Sequence, residues 1–586
     1  MKYSDQIAKW LVQMGYTHCF YVGGGNIMHL LESFSRNLEC IPVIHEVAAA
    51  IATEYFNESN TEQKKAVALV TAGPGLTNAI TGIAAAYLES RELLIIGGQV
   101  KTGDLSRGML RQRGIQEIDG VSIVKPITVR AELIDDVIDF ASFANIINHP
   151  ETYRKGPVFL EIPIDIQGRA VNFSSLASQH KPNVNFPIVS GNDFSALIAK
   201  VRQAKRPLLL LGGGVSRTTV KRLRLALNDL NIPIATTWNA ADRIPSDQFN
   251  YVGRPNTWGQ RSANLILQQS DLLIAVGTRL GMQQTGFNWQ KFIPKGEIVQ
   301  VEIDRAELDK GHPKVATPLL GDANDFLDRF VAETIGDHTD WLNYAREIRA
   351  SIPLIEPINT TGEAYISPYV FADELSKVCA ETDLVIPASS GGAFTVMMQT
   401  FQQKNEQVII TDKGLASMGY GLSGAIGAAI AHPDKRVVLV EGDGGFSQNI
   451  QEIGTVAINK LNLKMFIFDD SGYASIRATQ RNYFGGRYVG CDRNTGLGLP
   501  DWEKLFAAWN VPVMRINKAY TSNADFLAMF ESKGTAAFIV SIDPEQTYFP
   551  KITSKITANG SMESNPLHLM SPELSENQFL TLAKYL

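Results

Sequence analysis

RVVLVEGDGGFSQNIQEIGTVAINKLNLKMFIFDDSGY, residues 436–473, holds two short apolar runs, each ending in acidic residues. RVVLVEGD reads as a strand that stops at Asp443, and KMFIFDD as a second strand that delivers Asp469 and Asp470 at its own carboxyl end. Between them, GDGG supplies glycines that let the backbone come close to a ligand. Ile450, Ile453 and Val456 then fall at helical spacing, which predicts a helix whose first turn offers free N–H groups to an anion. In open α/β sheets ligands bind at strand carboxyl ends. Asp443 and Asp470 can therefore ligate one hard cation from adjacent strands, and magnesium suits a site with few carboxylates plus ligand phosphates. A glycine-rich turn alone is often only a turn; the second acidic strand end is what turns this reading toward a metal-held phosphate.

The same texture extends along the chain. The runs AVALVTA (66–72), ELLIIGG (92–98), PLLLLGG (207–213) and DLLIAVG (271–277) are continuous and apolar, as strands buried on both faces of a parallel sheet are. Strand-like and helical segments alternate, which predicts doubly wound α/β domains. A chain of 586 residues is too long for one core. Polar, Ser/Asn/Pro-rich residues around 168–192 read as a linker, and a second break falls around 335–367. The expected organisation is three α/β domains, 1–170, 190–335 and 365–545, followed by a surface tail at 546–586.

Composition excludes several classes. A net charge of −6 leaves no basic excess for nucleic acid. No apolar stretch approaches the ~20 residues of a membrane span. The amphipathic N-terminus, carrying Asp5, reads as a first helix and not as a signal peptide. Four cysteines without CxxC spacing fit a reducing compartment, so a cytoplasmic location is expected.

Gly442-Asp443-Gly444, followed after 27 residues by Asp470, resembles the metal and diphosphate motif of thiamine-diphosphate enzymes. The family has two asparagines where Asp469 and Asp470 stand. Asp470 matches the metal-ligating one, and Gly472 matches the residue whose carbonyl completes the metal shell. CIPVIHEVAAAIATEYF (40–56) places Glu46 where the family's activating glutamate lies; read alone it is an ordinary first-turn acid. VTAGPGLTNAITGIAAAYLES (70–90) and KGLASMGYGLSGAIGAAIA (413–431) resemble two further family segments. Met418, 25 residues before Asp443, matches the methionine that bends the cofactor. The resemblance implies three domains (pyrimidine-binding, middle and diphosphate-binding) and thiamine diphosphate with Mg2+. It implies cofactor contacts from Gly24, Gly25, Glu46, Gly73, Asn78, Ser390, Gly391, Met418, Gly442, Gly444, Gly445 and Ile476.

Within the family, IIGGQVKTGD (95–104), GIQEIDGVSIVKPIT (114–128) and RKGPVFLEIPIDIQ (154–167) resemble the acetolactate synthase branch, where Gln116 matches a glutamine facing the substrate. That resemblance implies a carboligase that decarboxylates a 2-oxo acid, typically pyruvate, and adds the acyl carbanion to a second carbonyl. It also implies an active site between subunits of a homodimer or homotetramer. There are departures. Thr479 stands for an acceptor-selecting tryptophan, Ile115 for a phenylalanine, and Gly392-Ala393 for a Gln-His pair. A keto-sugar acceptor is therefore open. Acetolactate synthases hold FAD in the middle domain; LLLGGGVSR (209–217) and VEIDRAELDK (301–310) keep that outline and Arg279 is retained, but GTRLGMQQTG (277–286) lacks the usual acid and second base, so FAD also stays open. Arg107, Arg111 and Arg113 are placed to meet a carboxylate or phosphate, or are solvated loop residues. The rival readings are a simple decarboxylase, an FAD-dependent oxidase and a catalytically silent paralogue.

Overall fold

The computed structural model describes residues 1–60, 64–149, 153–172, 186–388, 391–557 and 559–586. Among them the chain forms three parallel six-stranded sheets. The first contains β1 (Tyr16–Tyr21), β2 (Glu39–Pro42), β3 (Lys65–Val70), β4 (Leu93–Gln99), β5 (Arg130–Leu133) and β6 (Pro157–Pro163), ordered β2-β1-β3-β4-β6-β5. The second contains β7 (Pro207–Leu211), β8 (Ile234–Thr236), β9 (Tyr251–Gly253), β10 (Leu272–Val276), β11 (Glu297–Glu302) and β12 (Thr317–Leu320), ordered β12-β11-β10-β7-β8-β9. The third contains β13 (Leu384–Pro387), β14 (Val408–Ile409), β15 (Val437–Gly442), β16 (Leu463–Asp469), β17 (Val513–Ile516) and β18 (Ala536–Ser541), ordered β14-β13-β15-β16-β18-β17. Every apolar run singled out in the sequence is a strand, and helices cover both faces of each sheet, as parallel sheets require.

Two expectations change. The helix expected after GDGG is broken: a single turn, Asp443–Phe446, is followed by a 3-10 segment, Ser447–Glu452, and a short helix, Ile453–Ile458. The kink falls at Asn449, whose φ of −129° is not helical and whose side chain donates to the carbonyl of Gly419 at 2.6 Å. The last forty residues are not a loose surface tail. Leu567, Met570, Leu582 and Ala583 are buried, and Leu567, Leu582 and Ala583 join the middle-domain core together with the helix Thr339–Ser351. Apolar residues spread thinly through a polar stretch hid this docking.

The first and third domains meet along two helices, Glu46–Ser59, lined by alanine, and Tyr420–Ala431, lined by alanine and glycine. A methyl group at Gly427 would collide with the carbonyl of Ala52, and one at Gly424 would lie 2.7 Å from the Tyr55 ring. The helix Glu46–Ser59 is equally close on its other side, where a methyl at Gly82 would lie 2.6 Å from the Ala50 side chain. Buried charges tie the middle domain to the same junction. Arg91 bonds Glu54 at 2.8 Å and donates to the Thr411 carbonyl at 2.7 Å. Arg217 reaches Asp242, Glu58 and the Ile409 carbonyl at 2.6, 2.9 and 3.2 Å, so one guanidinium touches all three domains.

Gly427→Ala therefore overpacks the junction. It is expected to destabilise the protein by about 1–3 kcal/mol, read as a lower thermal or urea midpoint. A variant as stable as the parent would show that this approach is not close in solution.

Candidate active site

β15 and β16 are neighbours, with Gly442 opposite Phe468, so the next residue of the first and the second-next of the other put Asp443 and Asp470 side by side. Both carboxylates are buried. Asp443 accepts from the Gly444 N–H at 2.6 Å and the Gly472 N–H at 3.1 Å, which ties the two strand-end loops together. Gly472 has φ +153°, and a side chain there would strike the Cys491 carbonyl. That carbonyl also accepts from the Tyr473 N–H at 2.8 Å, so the loop is held from both sides. Gly444 is pressed against the Tyr473 ring, while Gly442 faces open space. Gly445 lies buried in the turn Asp443–Phe446.

Burial raises the pKa of Asp443 well above the carboxylate range, and the nearby charges of Asp470 and Asp469 push it further. Burial likewise pushes Asp470 up to about 7, although Arg477 pulls it down. Two buried carboxylates that disfavour each other's charge are stabilised by a cation between them. Among the described residues no group of three or more His, Cys, Asp or Glu is placed to hold a metal ion by itself. The protein thus offers two adjacent buried carboxylates, which fits Mg2+ that takes most of its oxygens from a phosphate ligand and water.

Sequence reasoning missed Arg477. Its guanidinium donates to the Asp470 carboxylate at 3.2 Å and to the Asp470 carbonyl at 2.8 Å, and it is buried. An aspartate in place of asparagine adds a negative charge, and Arg477 offsets it. The available signal was a lone arginine seven residues after the extra acid, on the next helix. Asp469 faces elsewhere and pairs with Arg515 at 3.0 Å.

The other predicted residues form a second set on the first domain. Glu46 opens its helix and accepts from the Asn78 side-chain amide at 2.9 Å. The segment before it is pinned by Glu452 of the third domain, which accepts from the N–H groups of Ile44 and His45 at 3.1 and 3.0 Å. Gly73 has φ +66° and lies directly under the Gln116 backbone, where any side chain would meet the Gln116 carbonyl. Gln116 itself takes φ +64° and is exposed. Gly24 abuts Thr71, and Gly25 begins a short 3-10 turn. Met418, half-buried, lies 3.7 Å from the Gln448 amide. Gly391 has φ +95° and Gly392 is packed on Tyr548, while Ser390 lies outside the described residues. Ile476 is 47% exposed.

In the middle domain the FAD expectation meets an incomplete set. Arg279 is the only cation in 277–286. Gln284 and Thr285, in the stretch that follows it, are buried, with the Gln284 amide donating to the Pro255 carbonyl at 2.8 Å. Beyond β8, Lys413 from the third domain sits 4.3 Å over the Trp238 ring. Burial lowers the Lys413 pKa to about 7.

Comparison with known proteins gives the same three-part division. Residues 1–123 match the thiamine pyrophosphate enzyme N-terminal TPP binding domain, 194–330 the central domain and 390–540 the C-terminal TPP binding domain. The chain is 30% identical to the probable acetolactate synthase large subunit of Methanocaldococcus jannaschii, covering 88% of each chain. It is 27% identical to the acetolactate synthase isozyme 1 large subunit of Escherichia coli, over 94% of this chain and 95% of that one. With the isozyme 2 large subunit of the same organism it shares 28% identity over 93% and 97%.

Arg477→Ala strands a buried carboxylate and is expected to cost about 3–5 kcal/mol in stability, whereas Asp470→Asn with Arg477→Ala recovers most of the loss. A double-mutant cycle in thermal denaturation reads this, and strict additivity of the two changes would refute the compensation. The raised pKa of Asp470 also predicts a pH dependence. Burial raises both Asp443 and Asp470, so a cation must displace protons from this pair, and Mg2+ affinity should fall as the pH falls. Titration calorimetry with Mg2+ and thiamine diphosphate checks the slope; pH-independent binding would be the contrary result.

Proposed function

The chain belongs to the thiamine pyrophosphate enzymes of the acetolactate synthase-like branch, and from that premise we propose that it is a Mg2+-dependent carboligase joining the acyl carbon of pyruvate to a second carbonyl. The observation that carries this reading is the pair of sets just described: a carboxylate–amide pair at Glu46 and Asn78, and a buried two-aspartate cradle at Asp443 and Asp470. Thiamine diphosphate, when bound, supplies the electron sink for the acyl carbon. Asp443, Asp470 and the Gly472 carbonyl hold the cation that grips its diphosphate. Met418 shapes the cofactor, and Gly73 lets the backbone approach it. Glu46 holds and returns a proton at the aminopyrimidine ring, with Asn78 orienting its carboxylate.

In the reaction the C1–C2 bond of pyruvate breaks and carbon dioxide leaves. The C2 carbon bonds to the acceptor's carbonyl carbon, and the acceptor oxygen takes up a proton. Gln116 and Ile476 line this centre. As in the family it resembles, the site is read as lying between the first domain of one copy and the third domain of another, so a homodimer is the minimum active unit and a tetramer is compatible with it. Thr479 bonds its own helix, to the Ser475 carbonyl at 2.9 Å, and Ile115 is 86% exposed. Both leave more room than the bulky aromatics they replace, which favours an acceptor larger than 2-oxobutyrate, a keto-sugar among them. The four cysteines are free, in keeping with a cytoplasmic enzyme.

Glu46→Gln is expected to lower turnover by about 10²–10⁴-fold while thiamine diphosphate affinity stays within a few-fold. Carbon dioxide release from pyruvate, followed with mass spectrometry of the products, provides the readout. A fully active variant overturns the assignment, and acetaldehyde as the sole product would make the protein a decarboxylase instead.

A further inference from the structure

Two of the four cysteines stand opposite each other. β1 and β2 run parallel, and their register pairs Cys19 directly with Cys40. Paired residues of neighbouring strands project from the same face of a sheet. Both side chains accordingly pack on one first-domain core, with Leu30, Phe34 and Leu38. Cys19 is fully buried and its thiol bonds the Cys40 sulfur, whereas Cys40 is half-buried on the edge strand of the sheet. That bond brings the Cys40 thiol below its ordinary pKa against the effect of its partial burial, while burial raises Cys19 well above it. The thiolate is the reactive form, so the accessible member of the pair is also the one that ionises more readily. Cys379 and Cys491 are buried in the third domain.

Neighbouring strands lie about 4.8 Å apart, and a disulfide asks for Cβ atoms about 3.8 Å apart. Joining these sulfurs therefore needs the two strands to close by about 1 Å. A bond formed that way is strained and readily reduced, which suits a reversible site and not a structural staple. β2 is four residues long and, among the described residues, pairs only with β1, so it is held on one side. The chain beyond it is taut. Val43 donates its N–H to the Tyr21 carbonyl at 3.0 Å, and the N–H groups of Ile44 and His45 are held by Glu452. Glu46 follows at once and opens its helix. A shift of β2 is thus carried along an extended, anchored segment to the Glu46 carboxylate.

We infer that Cys19 and Cys40 are an oxidation site, closed to a disulfide by a hydroperoxide and reopened by a thiol, and that closing it displaces Glu46 and lowers turnover. The Cys40 sulfur attacks one peroxide oxygen, the O–O bond breaks, and water leaves with Cys40 as a sulfenic acid. The Cys19 sulfur then attacks the Cys40 sulfur, the S–O bond breaks, and the Cys19 proton departs in a second water. Two thiols and one hydrogen peroxide give one disulfide and two waters. A thiol reductant reverses this by exchange and is itself oxidised to a disulfide. The loss of turnover rests on the carboligase reading of Glu46; formation of the bond does not.

The test treats the full-length protein, loaded with thiamine diphosphate and Mg2+, with hydrogen peroxide, then denatures and alkylates it. Peptide mass mapping is expected to find Cys19 joined to Cys40, and Cys379 and Cys491 alkylated. Carbon dioxide release from pyruvate should fall about ten-fold or more and return with dithiothreitol, since misplacing a catalytic group by about 1 Å can cost about 10²-fold. Cys40→Ser should keep the parent's untreated rate within about two-fold and resist the same peroxide. Sulfinic acid at Cys40 without a bond, or no change at either cysteine, overturns the proposal. So does a Cys19–Cys40 bond that leaves turnover unchanged, or a loss of turnover that persists in Cys40→Ser. A parent that releases no carbon dioxide before treatment would sink the carboligase reading instead. Hydrogen exchange across residues 43–50 then reads the displacement without turnover, and protection there that is the same before and after oxidation overturns this proposal.

Discussion

The close approach of the helices Glu46–Ser59 and Tyr420–Ala431 is the constraint on which the arrangement depends. Only glycine at 427 lets the second helix come this close to the carbonyl of Ala52. Glu46 begins the first helix, and Met418 immediately precedes the second. The packing of these two helices therefore fixes how the first domain of a chain sits on its third. Large side chains along the seam would move both. Arg91 and Arg217 then secure the junction with buried charge pairs, whose geometry is directional where apolar packing is not.

The metal loop depends on a second, smaller constraint. Asp443 uses both oxygens on backbone N–H groups from its own loop and from its neighbour's, so its position is set before any cation arrives. Asp470 is set by Arg477. That pairing explains how a second carboxylate is tolerated beside Asp443: the guanidinium supplies positive charge next to it. In the first domain, Glu117 winds the loop 105–116 by the same device, a buried carboxylate saturated with backbone donors.

Much of this was legible in the chain. The strand at 436–443, the strand at 464–470 and the acids at their ends followed from apolar runs and their termination. Glu46 and Met418 were legible only through resemblance, since a first-turn glutamate and a core methionine are common. The kink at Asn449 was not legible, because it arises from a hydrogen bond to Gly419, thirty residues earlier. Nor was the docking of Leu567 and Leu582 on the middle domain, because four buried side chains spread through a polar segment leave no periodicity to read.

The sequence by itself determined three α/β units and the chemistry of the acidic strand ends, because burial on both faces of a parallel sheet forces continuous apolar runs and strand ends are where ligands meet such sheets. Tertiary structure alone decided which charges answer one another. Arg477 faces Asp470, Glu117 faces its own loop, and Arg111 and Arg113 face no carboxylate among the described residues. Pairing of charges depends on distances across the fold, and spacing along the chain does not encode it.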